Sequence, residues 1–220
     1  MIEQNQHLET LQDIRKMMQR SSRFISLSGL SGIAAGFWAL AGAYVAHDWI
    51  YNINGGHYEE VENNYSVSRI DMDQLWVKLV LLAATVLGLA LLSALYFTWR
   101  RAGKSKLPLW DHTTRKLTIN TLIPLVTGGV FILALLQRGE WALVAPACLV
   151  FYGLALVNGS KYTLSDIRYL GMMEIALGLL NTQFVGYGLY FWALGFGVLH
   201  IVYGFIMWWK YERLPAAEIN

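Results

Sequence analysis

A single glutamate stands in the middle of an otherwise apolar stretch, GMMEIALGLLN, at residues 171–181. Placing a carboxylate such as Glu174 inside a membrane helix costs about 2.5–3.5 kcal/mol on insertion scales. Intramembrane acids mark proton relays, ion pathways and ligand sites. They also occur as hydrogen-bonded pairs that fix the register of two helices. Both interpretations, a functional site and a structural pair, are open for Glu174.

A histidine in the next apolar stretch has the same local pattern. Each polar residue stands between glycines at i−3 and i+4, on one helix face: Gly171 and Gly178 around Glu174, and Gly197 and Gly204 around His200. Counted from a predicted N-cap at Thr163 and from Lys210, the two groups lie about 16 and 15 Å deep. We expect Glu174 and His200 to face each other across closely packed backbones, with Asn181 extending the polar stripe.

A stripe of small residues recurs every four positions near the start of the chain, at Ser28, Gly32 and Gly36. Such a stripe lets two helix backbones approach closely in lipid. It predicts tight packing within a helical bundle, and the alternative is a homo-oligomer interface.

No motif in the sequence indicates a metal, a cofactor or an enzyme. A metal site needs three or four convergent ligands, and the acidic segment around His57 is better explained as a hydrated loop. Bis-histidine haem needs a second histidine at the depth of His200. Phosphate-binding, dinucleotide-binding, nucleophile-elbow and zinc-protease motifs are missing. We therefore predict no catalytic residues, no metal and no cofactor.

The elements that position Glu174 and His200 are predicted to be membrane-spanning helices. Of the 220 residues 55% are hydrophobic and 15% charged, whereas soluble domains carry about 25% charge. Six segments are long and apolar enough to span a bilayer: 24–46, 75–99, 117–137, 141–157, 167–184 and 188–209. Pro124 and Pro146 are expected to kink two of them. The predicted fold class is all-α, an integral membrane six-helix bundle.

Positive charge is concentrated on one side of this bundle. Fourteen of the 17 Lys and Arg residues flank the spans on the side of both chain ends, and the other three are Arg69, Lys78 and Arg138. The positive-inside rule then puts both termini in the cytoplasm. A net charge of +2 is too small to suggest a nucleic-acid partner.

The chain is divided into three predicted regions. Residues 1–22 form a cytoplasmic amphipathic helix, with Leu8, Leu11 and Met18 on one face, lying on the membrane surface or binding a partner. Residues 23–211 form the six-span membrane domain, with an acidic outer loop at 47–74. Residues 212–220 are a cytoplasmic tail.

Two stretches carry a resemblance to a known family: RSSRFISLSGLSGIAAGFWALAGAY and NGSKYTLSDIRYLGMMEIALGLL…GYGLYFWALGFGVLHIVYG. They resemble a family of small bacterial six-span integral membrane proteins of uncharacterised activity. The resemblance covers most of the chain apart from the outer loop. It implies a helical bundle in the bacterial cytoplasmic (inner) membrane, and it assigns no catalytic residues.

Three functional hypotheses follow from the sequence. The first is a non-enzymatic polytopic inner-membrane protein that acts through protein partners or oligomerisation. The second is a small transporter or channel subunit with proton or ion coupling through Glu174 and His200. The third, an intramembrane enzyme, is the weakest because no nucleophile accompanies the pair. The predicted partners are the lipid bilayer and a second copy or another membrane or cytoplasmic protein.

Overall fold

A computed structural model gives the architecture and describes residues 28–55, 69–105 and 111–213. Throughout these ranges the regular structure is helical. The helices are α1 (Gly29–Gly55), α2 (Arg69–Ser105), α3 (His112–Gln137), a 3₁₀ turn (Trp141–Leu143), α4 (Val144–Gly159), α5 (Asp166–Asn181) and a C-terminal helical run, Val185–Arg213. The predicted amphipathic helix at 1–22 lies outside the described residues, as does the part of the predicted tail after residue 213.

The C-terminal helical run, called the C-terminal helix below, changes its winding along its length. It consists of a 3₁₀ turn (Val185–Tyr187), α6 (Gly188–Trp192), a π-helical segment (Ala193–Leu199), α7 (His200–Trp208) and a second π-helical segment (Trp209–Arg213). Because π-helical turns are rare and concentrate at functional sites, the segment just before His200 is of particular interest.

Five of the described helices are long and apolar enough to cross a membrane. They are Gly29–Ile50, Gln74–Arg101, His112–Gln137, Trp141–Gly159 and Val185–Arg213. The remaining helix, α5, has 16 residues and a length of about 24 Å, less than the hydrocarbon thickness of about 30 Å. The prediction of an all-α, multi-pass membrane protein is confirmed with five candidate spans, and α5 is a shorter sixth helix.

The helices on either side of the predicted outer loop are longer than expected. α1 continues to Gly55 and α2 already begins at Arg69, so both ends of the 47–74 segment are helical. Polar residues mark where the apolar span ends, but the described helix α1 continues past that point to Gly55, within the turn-forming sequence Asn54-Gly55-Gly56. Residues 56–68 lie outside the described ranges.

The helices pack as a series of neighbours, in which the C-terminal helix also contacts α4. α2 packs on α1, α1 packs on the C-terminal helix, α5 packs on α4, and α4 packs on α3. The indole of Trp38 on α1 donates to Ser93 on α2 at 3.0 Å. Trp76 and Trp141 stack with ring centroids 4.5 Å apart, which brings the start of α2 to the start of α4. α2 and α3 are therefore the peripheral helices.

The small-residue stripe on α1 packs inside the chain. A Cβ on Gly36 would lie 2.6 Å from the carbonyl oxygen of Gly197, and a Cβ on Gly32 would lie 3.2 Å from the Cα of Gly204. The stripe therefore lies against the C-terminal helix, and its glycines are not free to form a contact between two copies of the chain. Ser28, at the end of the stripe, donates to Glu212 at 3.1 Å.

Asp111 starts α3 as its N-cap. Its Oδ1 accepts from the backbone N–H and from the hydroxyl of Thr114, both at 2.7 Å. These hydrogen bonds stabilise the carboxylate and lower the pKa of Asp111 below its usual value. Asp111 thus has a capping role at the start of α3.

The two prolines behave differently from each other. Pro146 lies in the first turn of α4, after a 3₁₀ turn, where a missing N–H breaks no helical hydrogen bond, so the expected kink has no cause there. Pro124 lies inside α3 and leaves the carbonyl of Asn120 without its i+4 donor. The side-chain amide of Asn158 on α4 donates to that carbonyl at 2.7 Å.

The bond between Asn158 and Asn120 predicts a coupling with Pro124. Asn158→Ala is expected to lower the free energy of unfolding by about 1–2 kcal/mol, because it orphans a carbonyl inside the membrane domain. In a Pro124→Ala background that carbonyl regains a donor in its own helix, so the same substitution should cost about 0.5 kcal/mol or less. Denaturant unfolding in detergent measures both. Equal losses in the two backgrounds would contradict the assignment, and Asn120→Ala, which keeps the carbonyl, is the control.

Candidate functional site

The structure brings Glu174 and His200 together in the interior of the protein. Glu174 is 0% exposed and His200 is 6% exposed. The Nδ1 atom of His200 lies 3.4 Å from Oε1 of Glu174. The carboxyl group of α5 and the imidazole of the C-terminal helix therefore form a close buried pair.

Both ring nitrogens of His200 have hydrogen-bond partners other than Glu174. Nδ1 is 3.0 Å from the carbonyl oxygen of Gly195, and Nε2 is 2.7 Å from the hydroxyl of Tyr152 on α4. A carbonyl only accepts, so Nδ1 carries a hydrogen and donates it to Gly195. In the neutral ring Nε2 then accepts from the Tyr152 hydroxyl. These bonds fix both the tautomer and the orientation of the imidazole.

The π-helical segment makes room for the carboxyl group. Gly195 precedes His200 by five residues, the spacing of a π-helical turn, and its carbonyl holds Nδ1. A Cβ on Gly195 would lie 2.5 Å from Oε2 of Glu174 and 2.5 Å from a methyl carbon of Leu149. Any side chain at this position would displace Glu174, so the wider helix and the missing side chain together shape the site.

Aromatic rings surround the imidazole on two sides. The ring centroid of His200 lies 5.3 Å from that of Tyr152 and 6.0 Å from that of Phe196. Trp192 extends the cluster, 5.2 Å from Phe196. Aromatic faces attract cations electrostatically, so this environment can hold the imidazolium form as well as the neutral ring.

The glycines that flank the pair pack against other helices than expected. A Cβ on Gly171 would lie 2.7 Å from the carbonyl oxygen of Gly153 on α4. Gly178 also packs on α4, whereas Gly197 and Gly204 pack on α1. The closest backbone approach occurs where both helices have small residues, and α5 and the C-terminal helix do not meet in that way. These two helices meet instead through the polar side chains of Glu174 and His200.

Asn181 does not join the pair. It lies seven residues beyond Glu174 on α5, about 10.5 Å along the axis, and it is 0% exposed. Between the two, Gly178 packs so closely that a Cβ would lie 2.7 Å from a methyl carbon of Val150. Among the described residues neither polar atom of the Asn181 amide and neither oxygen of Glu174 has a hydrogen-bond partner.

The end of α5 opposite to Asn181 is held by ionic contacts. Asp166, in its first turn, accepts from Lys210 Nζ at 3.0 Å and from the hydroxyl of Tyr211 at 2.9 Å. We expected Thr163 to cap this helix with Asp166 completing a capping box. The described helix begins at Asp166, whose side chain contacts the C-terminal helix, and the capping role of Thr163 stays a prediction.

Glu212 ties three helices together near the same end. Its Oε1 accepts from the backbone N–H of Gly29 at 2.6 Å and lies 3.1 Å from Nη1 of Arg101. Ser28 donates to the same carboxylate. The C-terminal helix continues to Arg213, so the carboxylate of Glu212 reaches the start of α1 and the end of α2, and the cytoplasmic tail at 212–220 stays a prediction.

The pair has a defined chemical capacity. It can hold one proton either as a carboxylic acid beside a neutral imidazole or as a carboxylate beside an imidazolium, and both forms have no net charge. Because an unpaired buried charge is costly, these two forms are the stable ones in the observed packing. Within the described part of the chain no three metal-ligating side chains come together. The arrangement is suited to binding and moving a proton.

Comparison with known proteins gives no family for the chain. No protein-family profile, no curated protein and no solved structure matches it. The family of six-span proteins that the sequence resembles therefore stays an expectation, and the function has to be argued from the geometry of the site.

Proposed function

We propose that the protein is a small proton-translocating membrane protein, a transporter or channel subunit, in which Glu174 and His200 bind the proton. The observation that carries this proposal is a fully buried carboxylate 3.4 Å from an imidazole in a chain with five candidate membrane spans. Intramembrane carboxylates and histidines are the groups from which proton relays are built.

The hydrogen bonds around His200 favour a proton-binding role over a purely structural one. A pair that only fixes helix register is expected to use its donors for a direct hydrogen bond between the helices. Here the donor on Nδ1 is directed to Gly195, and Nε2 bonds Tyr152. Both oxygens of Glu174 keep their hydrogen-bonding capacity with respect to the described residues. The carboxyl group is therefore positioned by packing and available to gain and lose a proton.

The proposal includes six spans, with α5 as the short fifth one. α5 runs beside the C-terminal helix with aligned ends. Asp166 meets Lys210 at one end, the polar pair lies between, and Phe184 stacks on Phe191 at 6.3 Å just past the other end. The same depth is covered by both helices. The distribution of Lys and Arg supports cytoplasmic termini and insertion into a bacterial inner membrane, with the Asp166 end of α5 on the cytoplasmic side.

Proton flux into liposomes tests the proposal. The purified protein is reconstituted with a pH-sensitive dye inside, and a potassium gradient with valinomycin supplies the driving force. We expect a protein-dependent proton flux that Glu174→Gln reduces to the rate of empty liposomes, because glutamine keeps the shape of the side chain and cannot exchange a proton. Glu140→Gln is the matched control, since Glu140 is exposed between α3 and α4, and its flux should equal that of the wild type.

Two results of this experiment would contradict the proposal. No flux above empty liposomes with the wild type, or an unchanged flux with Glu174→Gln, would contradict the proposal. A protein that acts only through partners or oligomerisation, the first hypothesis from the sequence, predicts the former result. The low burial of α2 and α3 favours this first hypothesis. In the most apolar 18-residue stretch of each helix, only 6% of α2 and 11% of α3 is buried within the chain.

A further inference from the structure

We propose that, starting from the described conformation, protons reach Glu174 from one side, through the end of α5 that carries Asn181, and that Asn181 binds the entering water. The opposite end of the helix is sealed in this conformation and opens in a second one to release the proton. This inference rests on the proposed proton translocation and adds the direction of access to the site, which on the proposed topology is the outer side.

The first support is the polarity of the buried face of α5 towards its carboxyl end. Asn181 is fully buried near that end of the helix. An amide that lacks partners inside a protein costs free energy of order 1–3 kcal/mol, so such groups are normally satisfied by water. The exposed residues Gln183 and Phe184 begin two positions later. Asn181 is thus one polar step between the membrane surface and Glu174.

The second support is the apolar character of the same face towards the other end. Leu164, Ile167 and Met207 form a buried cluster, with Leu156 and Tyr211 packed against it. The side chains of Leu164, Ile167, Met207 and Leu156 offer no hydrogen bond to a water molecule or a hydronium ion, and the hydroxyl of Tyr211 donates to Asp166. The Asp166 and Glu212 contacts hold the helix ends together around it. The buried face of α5 is therefore polar towards its carboxyl end and apolar towards its amino end.

Gly178 is the closed point on the proposed path. It lies between Glu174 and Asn181, and a Cβ there would be 3.0 Å from both the Cβ of Leu149 and the carbonyl oxygen of Pro146. Water passes from Asn181 to Glu174 only when α4 and α5 separate slightly at this contact. Because Gly178 has no side chain, α4 and α5 need to separate by only a short distance to let a water molecule pass.

The proton balance at the site is simple. When the pair is a carboxylate beside an imidazolium, a hydronium ion gives its proton to Oε1 or Oε2 of Glu174 and leaves as water, so the pair changes from no net charge to one positive charge. The titratable groups that face Glu174 from the packed helices are His200 on the C-terminal helix and Tyr152 on α4. The added charge is then held by the imidazolium between the rings of Tyr152 and Phe196.

Sided labelling with dicyclohexylcarbodiimide tests the direction of access. This reagent crosses bilayers and modifies protonated carboxyl groups, and mass spectrometry locates the product on Glu174. The reconstituted protein carries Cys148→Ser, which removes its own cysteine. A single new cysteine, Ser165→Cys or Gln183→Cys at opposite ends of α5, is labelled with a membrane-impermeant maleimide to determine the orientation of the protein in the vesicles. After a pH jump on one side and a short reaction, the modification of Glu174 should follow the pH on the Gln183 side.

Three variants sharpen the result. Asn181→Leu should slow the response to pH on the Gln183 side by about tenfold, Asn181→Ser should retain it, and Ile167→Ser should add a response from the Ser165 side. Thr182→Val, a neighbour whose hydroxyl bonds Leu179, is the matched control with an unchanged rate.

The outcomes separate the two proposals. A response that follows the Ser165 side, or an unchanged rate in a folded Asn181→Leu protein, overturns the sided access while proton translocation stands. No pH-dependent modification of Glu174 from either side overturns both. The wild-type measurement needs no substitution at Asn181, so a variant that fails to fold does not remove the test.

Discussion

Gly204→Ala is expected to lower the free energy of unfolding by about 3 kcal/mol, the upper part of the range for overpacked interiors. The added Cβ would lie 2.6 Å from the backbone nitrogen of Ile33 and 2.7 Å from the carbonyl oxygen of Gly29. Both are backbone atoms of α1, so no rotation of a side chain relieves the collision. The whole C-terminal helix must move away from α1, and the pair at its centre moves with it.

Unfolding of the purified protein in detergent, followed by circular dichroism, measures the loss. Gly88→Ala is the matched control, because a Cβ on Gly88 meets no atom within 4 Å. In a helix this control should be neutral or stabilise by up to about 1 kcal/mol. Equal stability of the two variants would show that α1 and the C-terminal helix do not pack through Gly204.

The sequence predicts some features of this architecture better than others, because each feature leaves a different pattern in the sequence. The length of the apolar segments predicts a polytopic helical membrane protein, and that level is confirmed. Helix ends are poorly predicted at the outer loop, because polarity marks the edge of the bilayer, whereas helical hydrogen bonding continues beyond it, as far as Gly55 in α1. The proposed fifth span, α5, is the borderline case, since it has only 16 residues.

The candidate site was also only partly predictable from the sequence. The matched depth of Glu174 and His200 is visible as spacing, and the structure places them 3.4 Å apart. The partners of their glycines were not predictable from that spacing, because a glycine face on one helix does not say which neighbour has the complementary small residue. Gly153, in FYGLAL, was the available signal for α4.

Tyr152 and Gly195 are the site residues that sequence reasoning missed. A tyrosine in the middle of a span is unusual, since tyrosines concentrate at membrane interfaces, and that departure is the clue Tyr152 offered. Gly195 carried no such clue. Its role depends on a π-helical turn that aims its carbonyl at His200, and no simple periodicity in the sequence predicts a local change in helical winding.

His200→Leu is expected to destabilise the protein by about 3 kcal/mol, the lower part of the range for breaking a buried pair. Leucine has a similar volume, so packing is largely kept, but Glu174 then has no positive or hydrogen-bonding group beside it. Glu174→Gln alone should cost within about 1 kcal/mol, because it removes the charge and leaves the bonds of His200 to Tyr152 and Gly195 intact. His200→Leu is thus expected to lower the free energy of unfolding more than Glu174→Gln does.

The double variant separates charge from packing. His200→Leu with Glu174→Gln should be more stable than His200→Leu alone by about 1–2 kcal/mol, since no charge is left buried without a partner. The lost partner of Tyr152 is common to both His200→Leu proteins and cancels in the difference. His112→Leu, a change at an exposed histidine, should stay within about 0.5 kcal/mol of the wild type. Strict additivity of the two substitutions at the pair would mean that the carboxyl and the imidazole are neighbours without electrostatic coupling, and a proton shared between them would then have no energetic basis.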